Sequence, residues 1–211
     1  CWPTYNGDYS GRRYSTLTQI NDKTIGSLAI NWMFRANVGP QRGVGNAEIK
    51  STPLLVNGVL YLTVPDHVWA VDARTGDELW HYVWKDKGGH LVGNRGVGMY
   101  GEWLYFVGPD GWLISLDAKT GCVYWSFKSD SFGRFAPIIA PISGHAGTRY
   151  AVYFVTRSVT AYAIDAQNGK LLWQNVVKDG INNLSATAAY YDGRLYVPMS
   201  GTETLTGANL D

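Results

Sequence analysis

Histidine, cysteine and clustered carboxylates are the side chains that most often hold metals or move protons, and this chain arranges few of them for either task. His67, His81, His90 and His145 show no metal-ligand spacing and read as structural or surface groups. No Ser-His-Asp set and no phosphate-cradling glycine loop stands out. There is no Cys-x-x-Cys-His, which excludes a c-type haem in this segment. Cys1 and Cys122 are open to three states: free, paired with each other, or paired with something else. Cys122 reads as a packed small hydrophobe. What does recur at fixed offsets is an aspartate, a glycine and a tryptophan.

They belong to a phrase said three times. Val71-Asp72-Ala73-Arg74-Thr75-Gly76-Asp77-Glu78-Leu79-Trp80 returns as Leu116-Asp117-Ala118-Lys119-Thr120-Gly121-Cys122-Val123-Tyr124-Trp125. It returns again as Ile164-Asp165-Ala166-Gln167-Asn168-Gly169-Lys170-Leu171-Leu172-Trp173. The aspartates stand about 45 to 48 residues apart, a period that means a stacked or radial repeat. Trp32 lies one further period upstream of Trp80. We read these tryptophans as structural: a large ring at the end of an outer strand covers the next unit, while Asp and Thr bond the turn below it.

One unit read in full explains what the phrase terminates. Pro53 to Val56 is a short apolar run, and Asn57-Gly58 is a strong hairpin signal because both turn residues must reach positive φ. Val59 to Val64 and His67 to Asp72 are rich in β-branched and aromatic residues, with Pro65-Asp66 turning between them. Leu79 to Val83 is a fourth strand. Four short strands joined by tight turns make one propeller blade. The expected fold is all-β, a β-propeller of four-stranded antiparallel blades with about three and a half blades present. A lead-in spans 1–50, blades span 51–84, 95–128 and 136–177, and a partial blade spans 185–211. Propellers close radially, so this is read as part of a larger ring, completed by further blades or by a second copy.

Bulk properties agree. The 18 basic and 17 acidic residues nearly balance, giving no case for nucleic acid or an anionic membrane. The 25 glycines and many aromatics suit a turn-dense β fold. No apolar stretch approaches the roughly 20 residues of a spanning helix. The chain opens on Cys1 without an initiator methionine or signal peptide, which predicts a processed or cut start.

Several phrases are more specific. Trp2-Pro3-Thr4-Tyr5-Asn6-Gly7-Asp8-Tyr9-Ser10-Gly11-Arg12-Arg13-Tyr14-Ser15, followed by Gln19-Ile20-Asn21, resembles the opening of pyrroloquinoline-quinone (PQQ) dependent alcohol dehydrogenases. Ser51 to Tyr61 resembles their first blade, and Asn94-Arg95-Gly96-Val97 resembles the loop that places an arginine over the quinone. From Gly121 to Trp125 and on through Arg149 to Phe154, the chain is closer to the polyvinyl-alcohol dehydrogenase branch. The resemblance implies an eight-bladed propeller with PQQ and calcium on its axis, an alcohol substrate, and electrons passed to cytochrome c in the periplasm.

It also implies site residues. Arg95, read as beginning an innermost strand after the glycine-rich stretch 88–93, would pair the cofactor's carboxylates or approach its reactive C5 oxygen. Ser200-Gly201-Thr202-Glu203 is similar to the family's Ser-Gly-Ala-Glu. There the glutamate ligates calcium, a hard cation that wants carboxylate oxygen, so Glu203 is the expected metal ligand, with Ser200 and Gly201 beside the cofactor. Ser185 stands where relatives carry a cofactor-binding threonine. Lys50 departs from a glutamate in the family's Glu-x-Thr-Pro phrase; it could pair an anionic cofactor as a point charge, or mark a changed or absent ligand. Gly88-Gly89 departs from the family's adjacent cysteines. The family's catalytic aspartate has no counterpart here, so no catalytic residue is expected in this segment. The alternative reading is a non-catalytic propeller acting as a binding or scaffold module, which Lys50 and Gly88-Gly89 favour. On the enzyme reading, Arg95 and Glu203 are expected to face one hollow.

Overall fold

The structure is a computed structural model that describes residues 2, 6–7, 10–36, 49–84, 94–142, 149–176 and 187–198. Ser185, Ser200, Gly201 and Glu203 lie outside them. The described chain is all-β apart from one short 3-10 turn, Ile25–Ser27.

Three four-stranded antiparallel sheets follow one another, each in simple chain order. The first holds β1 (Leu54–Val56), β2 (Val59–Val64), β3 (His67–Asp72) and β4 (Glu78–Val83). The second holds β5 (Gly98–Tyr100), β6 (Trp103–Val107), β7 (Trp112–Asp117) and β8 (Val123–Lys128). The third holds β9 (Ile138–Pro141), β10 (Tyr150–Val155), β11 (Thr160–Asp165) and β12 (Leu171–Val176). A hairpin of β13 (Ala189–Tyr191) and β14 (Arg194–Tyr196) begins a fourth unit. The first hairpin turns on Asn57 and Gly58, at φ 51° and 80°, the left-handed pair that matches strand twist. Each third-to-fourth strand ladder shifts register at one place: Ala70/Val71, Ser115/Leu116 and Ala163/Ile164.

The repeated phrase is a self-contained turn. Asp72 Oδ1 accepts the backbone N–H groups of Arg74 (2.8 Å) and Thr75 (3.2 Å); Asp117 and Asp165 repeat this with Lys119 and Thr120, and with Gln167 and Asn168. These donors hold the Asp72 carboxyl below its ordinary pKa; at Asp117 the Tyr124 hydroxyl contributes most. The third unit has asparagine where the others have threonine, and the exchange is chemically conservative. Asn168 Oδ1 accepts Lys170 N–H at 3.0 Å, as Thr75 and Thr120 hydroxyls accept Asp77 and Cys122 N–H at 3.3 Å.

Three of the recurring tryptophans dock on the sheet that follows them. Trp32, Trp80 and Trp125 donate Nε1–H to the carbonyls of Ala73, Ala118 and Ala166, at 3.2, 2.9 and 3.2 Å. Their rings lie flat on Gly76, Gly121 and Gly169. A Cβ at Gly121 would stand 2.7 Å from the Trp80 ring, so only glycine permits the seat. A tyrosine on the second strand shares the same acceptor: Tyr61 bonds Ala118 O (3.2 Å) and Tyr105 bonds Ala166 O (3.0 Å). Burial raises both phenols above their ordinary pKa, and Tyr105 most.

The core lies between the sheets. Tyr61, Val68 and Ala70 of the first face Leu104, Phe106 and Ile114 of the second. Tyr105, Val107 and Leu113 of the second meet Val152, Phe154 and Ile164 of the third. Cys122 corrects its reading as a packed hydrophobe: it precedes the outer strand β8, away from these seams, and is exposed.

Candidate functional site

Antiparallel order sorts the loops onto two edges. The β1–β2 and β3–β4 type turns, with the docking tryptophans, occupy one edge. The connectors entering β1, β5 and β9 share the other edge with the β2–β3 type turns: Pro65-Asp66, Pro109-Asp110 and Arg157-Ser158. Lys50 and Arg95 both lie on this connector edge, at the two junctions that lead into β1 and β5.

Asn94 builds the second junction. It is 2% exposed, and every polar atom of its side chain is engaged. Its Oδ1 accepts from the Thr63 hydroxyl (3.1 Å) and from Gly96 N–H (2.6 Å), while its Nδ2 donates to Val107 O (2.9 Å). One side chain therefore ties β2, the connector and β6 together. Gly96, at φ 123°, lets the chain pass Thr52, whose carbonyl a Cβ would approach to 3.1 Å. Removing the amide strands buried donors and acceptors on three segments. Asn94→Ala is expected to cost about 2 kcal/mol in urea unfolding, and a loss below about 0.5 kcal/mol would contradict this clip.

Arg95 sits differently from its sequence reading. The inner strand begins at Gly98, and Arg95 precedes it. Its backbone bridges neighbouring connectors instead of joining a ladder: Arg95 N–H donates to Arg134 O (2.9 Å), and Arg95 O accepts from Thr52 N–H (3.4 Å). Lys50 is exposed on the first connector, beside Ser51, whose hydroxyl accepts Thr63 N–H at 3.2 Å. The described residues do not include Glu203, Ser185, Ser200 or Gly201, so the expected hollow shared by Arg95 and Glu203 lies outside them. Among the described residues no group of three or more His, Cys, Asp or Glu is placed to hold a metal.

The structure adds a residue that the sequence did not single out. Arg134, on the connector into β9, is half-buried, and its Nε is closed to solvent with no hydrogen-bond partner. Burial lowers its pKa first, followed by the positive charges of Arg95 and Arg157. Arg157 lies in the β10–β11 turn, its N–H bonded to Phe132 O (2.8 Å) and its guanidinium 5.5 Å from the Phe132 ring centroid. No repeated phrase announces this grouping, because each arginine lies in a different connecting segment.

The histidines of the first sheet are packing groups. His67 stacks on Trp69 and on His81, with His67 Nδ1 2.7 Å from His81 Nε2. Burial lowers both pKa values, so the pair is neutral at pH 7, one ring donating and the other accepting.

Comparisons with known proteins agree with this architecture. A family model described as glucose/ethanol/alcohol dehydrogenase, β-propeller domain (PQQ) matches residues 2–132, and one described as outer membrane protein assembly factor BamB matches residues 116–211. The chain is 36% identical over 195 residues to the dehydrogenase subunit of a quinone alcohol dehydrogenase of Komagataeibacter europaeus, covering 82% of this chain and 25% of that protein. It is 38% identical over 105 residues to a polyvinylalcohol dehydrogenase of Sphingopyxis sp. (strain 113P3), covering 49% of this chain and 16% of that protein. The crystal structure of quinohemoprotein alcohol dehydrogenase from Comamonas testosteroni superposes with a TM-score of 0.64 at 30% identity, over 83% of this chain and 27% of that one. The chain thus spans about a quarter of the length of the quinone dehydrogenase subunit.

Proposed function

Because the chain belongs to the β-propeller family of glucose, ethanol and alcohol dehydrogenases, we propose that it is the N-terminal portion of a PQQ-dependent alcohol dehydrogenase. The observation that supports this reading is the junction built by Asn94-Arg95-Gly96, which ties the Arg95 backbone to the connector that carries Lys50. PQQ is a planar tricarboxylate, and a cationic, fork-shaped donor set suits it. Arg95 and Lys50 would hold its anionic edge, and Ser185, Ser200 and Gly201 would add hydroxyl and amide donors. Glu203 would supply carboxylate oxygen to calcium. When bound, PQQ supplies the two-electron acceptor for the carbinol carbon. This segment's part is to bind and orient; the proton-accepting base comes from outside it. The electron acceptor is a cytochrome c, and the compartment the periplasm.

The test is reconstitution of the intact protein with PQQ and calcium, followed by equilibrium dialysis and dye reduction with primary and secondary alcohols. Stoichiometric PQQ retention and alcohol-dependent reduction are expected, and the 211-residue segment alone is expected to be inactive. Failure of the intact protein to retain PQQ overturns the reading. It would leave the second one, a non-catalytic binding or scaffold propeller. Lys50 in place of the family glutamate favours that reading, as does the match of residues 116–211 to the BamB model.

A further inference from the structure

We infer that Thr63 is a positioning residue for Arg95, its hydroxyl setting the connector backbone from which the arginine meets the cofactor; this rests on the quinone reading.

Thr63 lies on β2 and is fully buried. Its hydroxyl donates to Asn94 Oδ1 (3.1 Å), which also accepts Gly96 N–H (2.6 Å). Two donors converge on Oδ1 and Nδ2 donates to Val107 O (2.9 Å), so the Asn94 amide has a single orientation. Arg95 is the residue held between the two bonded positions, Asn94 and Gly96. The backbone of Thr63 is engaged as well, its N–H donating to Ser51 Oγ (3.2 Å) on the connector that carries Lys50. One buried threonine therefore touches both connectors.

The neighbouring sheets show that the fold does not require this residue. Thr63 stands opposite Val68, two residues after Tyr61, which stands opposite Ala70. At the same register the second sheet has Val107, opposite Leu113 and two residues after Tyr105. The third has Val155, opposite Ala161 and two residues after Tyr153. The partner changes too. Asn94 lies between the Thr63 side chain and the Val107 carbonyl. One sheet on, Gly133 lies between the Val107 side chain and the Val155 carbonyl, where a Cβ would stand 3.1 Å from Val107 Cγ1 and 3.3 Å from Val155 O. A valine and a glycine, neither able to bond through its side chain, close that junction. Valine has the shape of threonine without the hydroxyl, and a buried hydrogen-bonded pair gains little over apolar groups of the same shape. Stability therefore does not explain Thr63 and Asn94. A fully bonded buried network does fix geometry, and Arg95 is the side chain that this one carries. A guanidinium fork needs that precision, because its two parallel N–H bonds to a carboxylate are lost together when its origin shifts.

Equilibrium dialysis of the intact protein against PQQ tests this, with urea unfolding of the same variants. Thr63→Val leaves Asn94 Oδ1 bonded to Gly96 N–H, so its unfolding transition should stay close to that of wild type. Its PQQ dissociation constant should rise roughly tenfold, within the range for residues coupled in one hydrogen-bond network. Thr63→Ser keeps the hydroxyl and should stay within about twofold of wild type. A point charge tolerates displacement better than a fork, so adding Thr63→Val to Arg95→Lys should cost no more than about twofold. Should Thr63→Val fail to fold, Thr63→Cys set against Thr63→Ser makes the same comparison, with a weakly donating sulfur in place of oxygen. Unchanged PQQ affinity in Thr63→Val overturns the inference. An equal loss in the wild-type and Arg95→Lys backgrounds also overturns it, because a merely structural role would not depend on the fork. Both outcomes leave the quinone reading standing. A wild-type protein that does not retain PQQ removes that reading and this inference together.

Discussion

Trp80→Ala is expected to destabilise the protein by about 3 kcal/mol, the lower end of the range for removing a large core aromatic, because the ring is only partly buried. For a chain of this size that is a fall of roughly 6–12 °C in melting temperature. The cost is mostly a cavity. The ring covers Gly121 and packs against Tyr61, with centroids 6.1 Å apart. Its hydrogen bond is partly insured, since Ala118 O still accepts from the Tyr61 hydroxyl. Trp173→Ala is the matched comparison. Trp173 ends the same phrase and keeps the Tyr153 contact, but it is 41% exposed on β12. In the 211-residue segment its loss should cost about 1 kcal/mol or less. Thermal unfolding of both variants decides the point. Equal costs would mean that docking on the next sheet contributes nothing beyond the tryptophan's contacts within its own sheet.

Gly98→Ala should cost about 2–3 kcal/mol although it adds one methyl group. Gly98 is buried on β5, where the inner strands of the second and third sheets meet. Its new Cβ would stand 2.5 Å from Ile139 Cδ1 and would run into the Pro137 carbonyl. A side-chain terminus can rotate away; a backbone carbonyl at the mouth of β9 can yield only by moving the strand. That movement would pull on the adjoining connectors, where Arg95 N–H holds Arg134 O. On the proposed quinone reading, weaker PQQ retention by the intact protein should therefore accompany the stability loss. Gly26→Ala is the control, because a Cβ there meets nothing within 4 Å and the residue is exposed. Urea unfolding in which Gly98→Ala matches Gly26→Ala would show that the inner strands have room to spare.

These two sites show which kind of information lies where. The all-β class and the sequence of four-stranded sheets were legible because their signals are local. Asn57-Gly58 needs only its own φ angles, and the Asp-led turn is closed by amides within three residues. A side chain that satisfies its neighbours along the chain must recur wherever the turn recurs, so the phrase is visible as a repeat. The tertiary structure alone decided what each tryptophan covers: Trp80 closes on Gly121 and bonds the Ala118 carbonyl of the next sheet. It also moved Arg95 from the start of a strand into a connector, exposed Cys122, and bonded Arg95 N–H to the Arg134 carbonyl of the neighbouring connector. Those outcomes depend on sheets meeting across seams and on connectors bonding to one another. Such contacts join residues far apart in the chain and obey no period, so no spacing in the sequence records them.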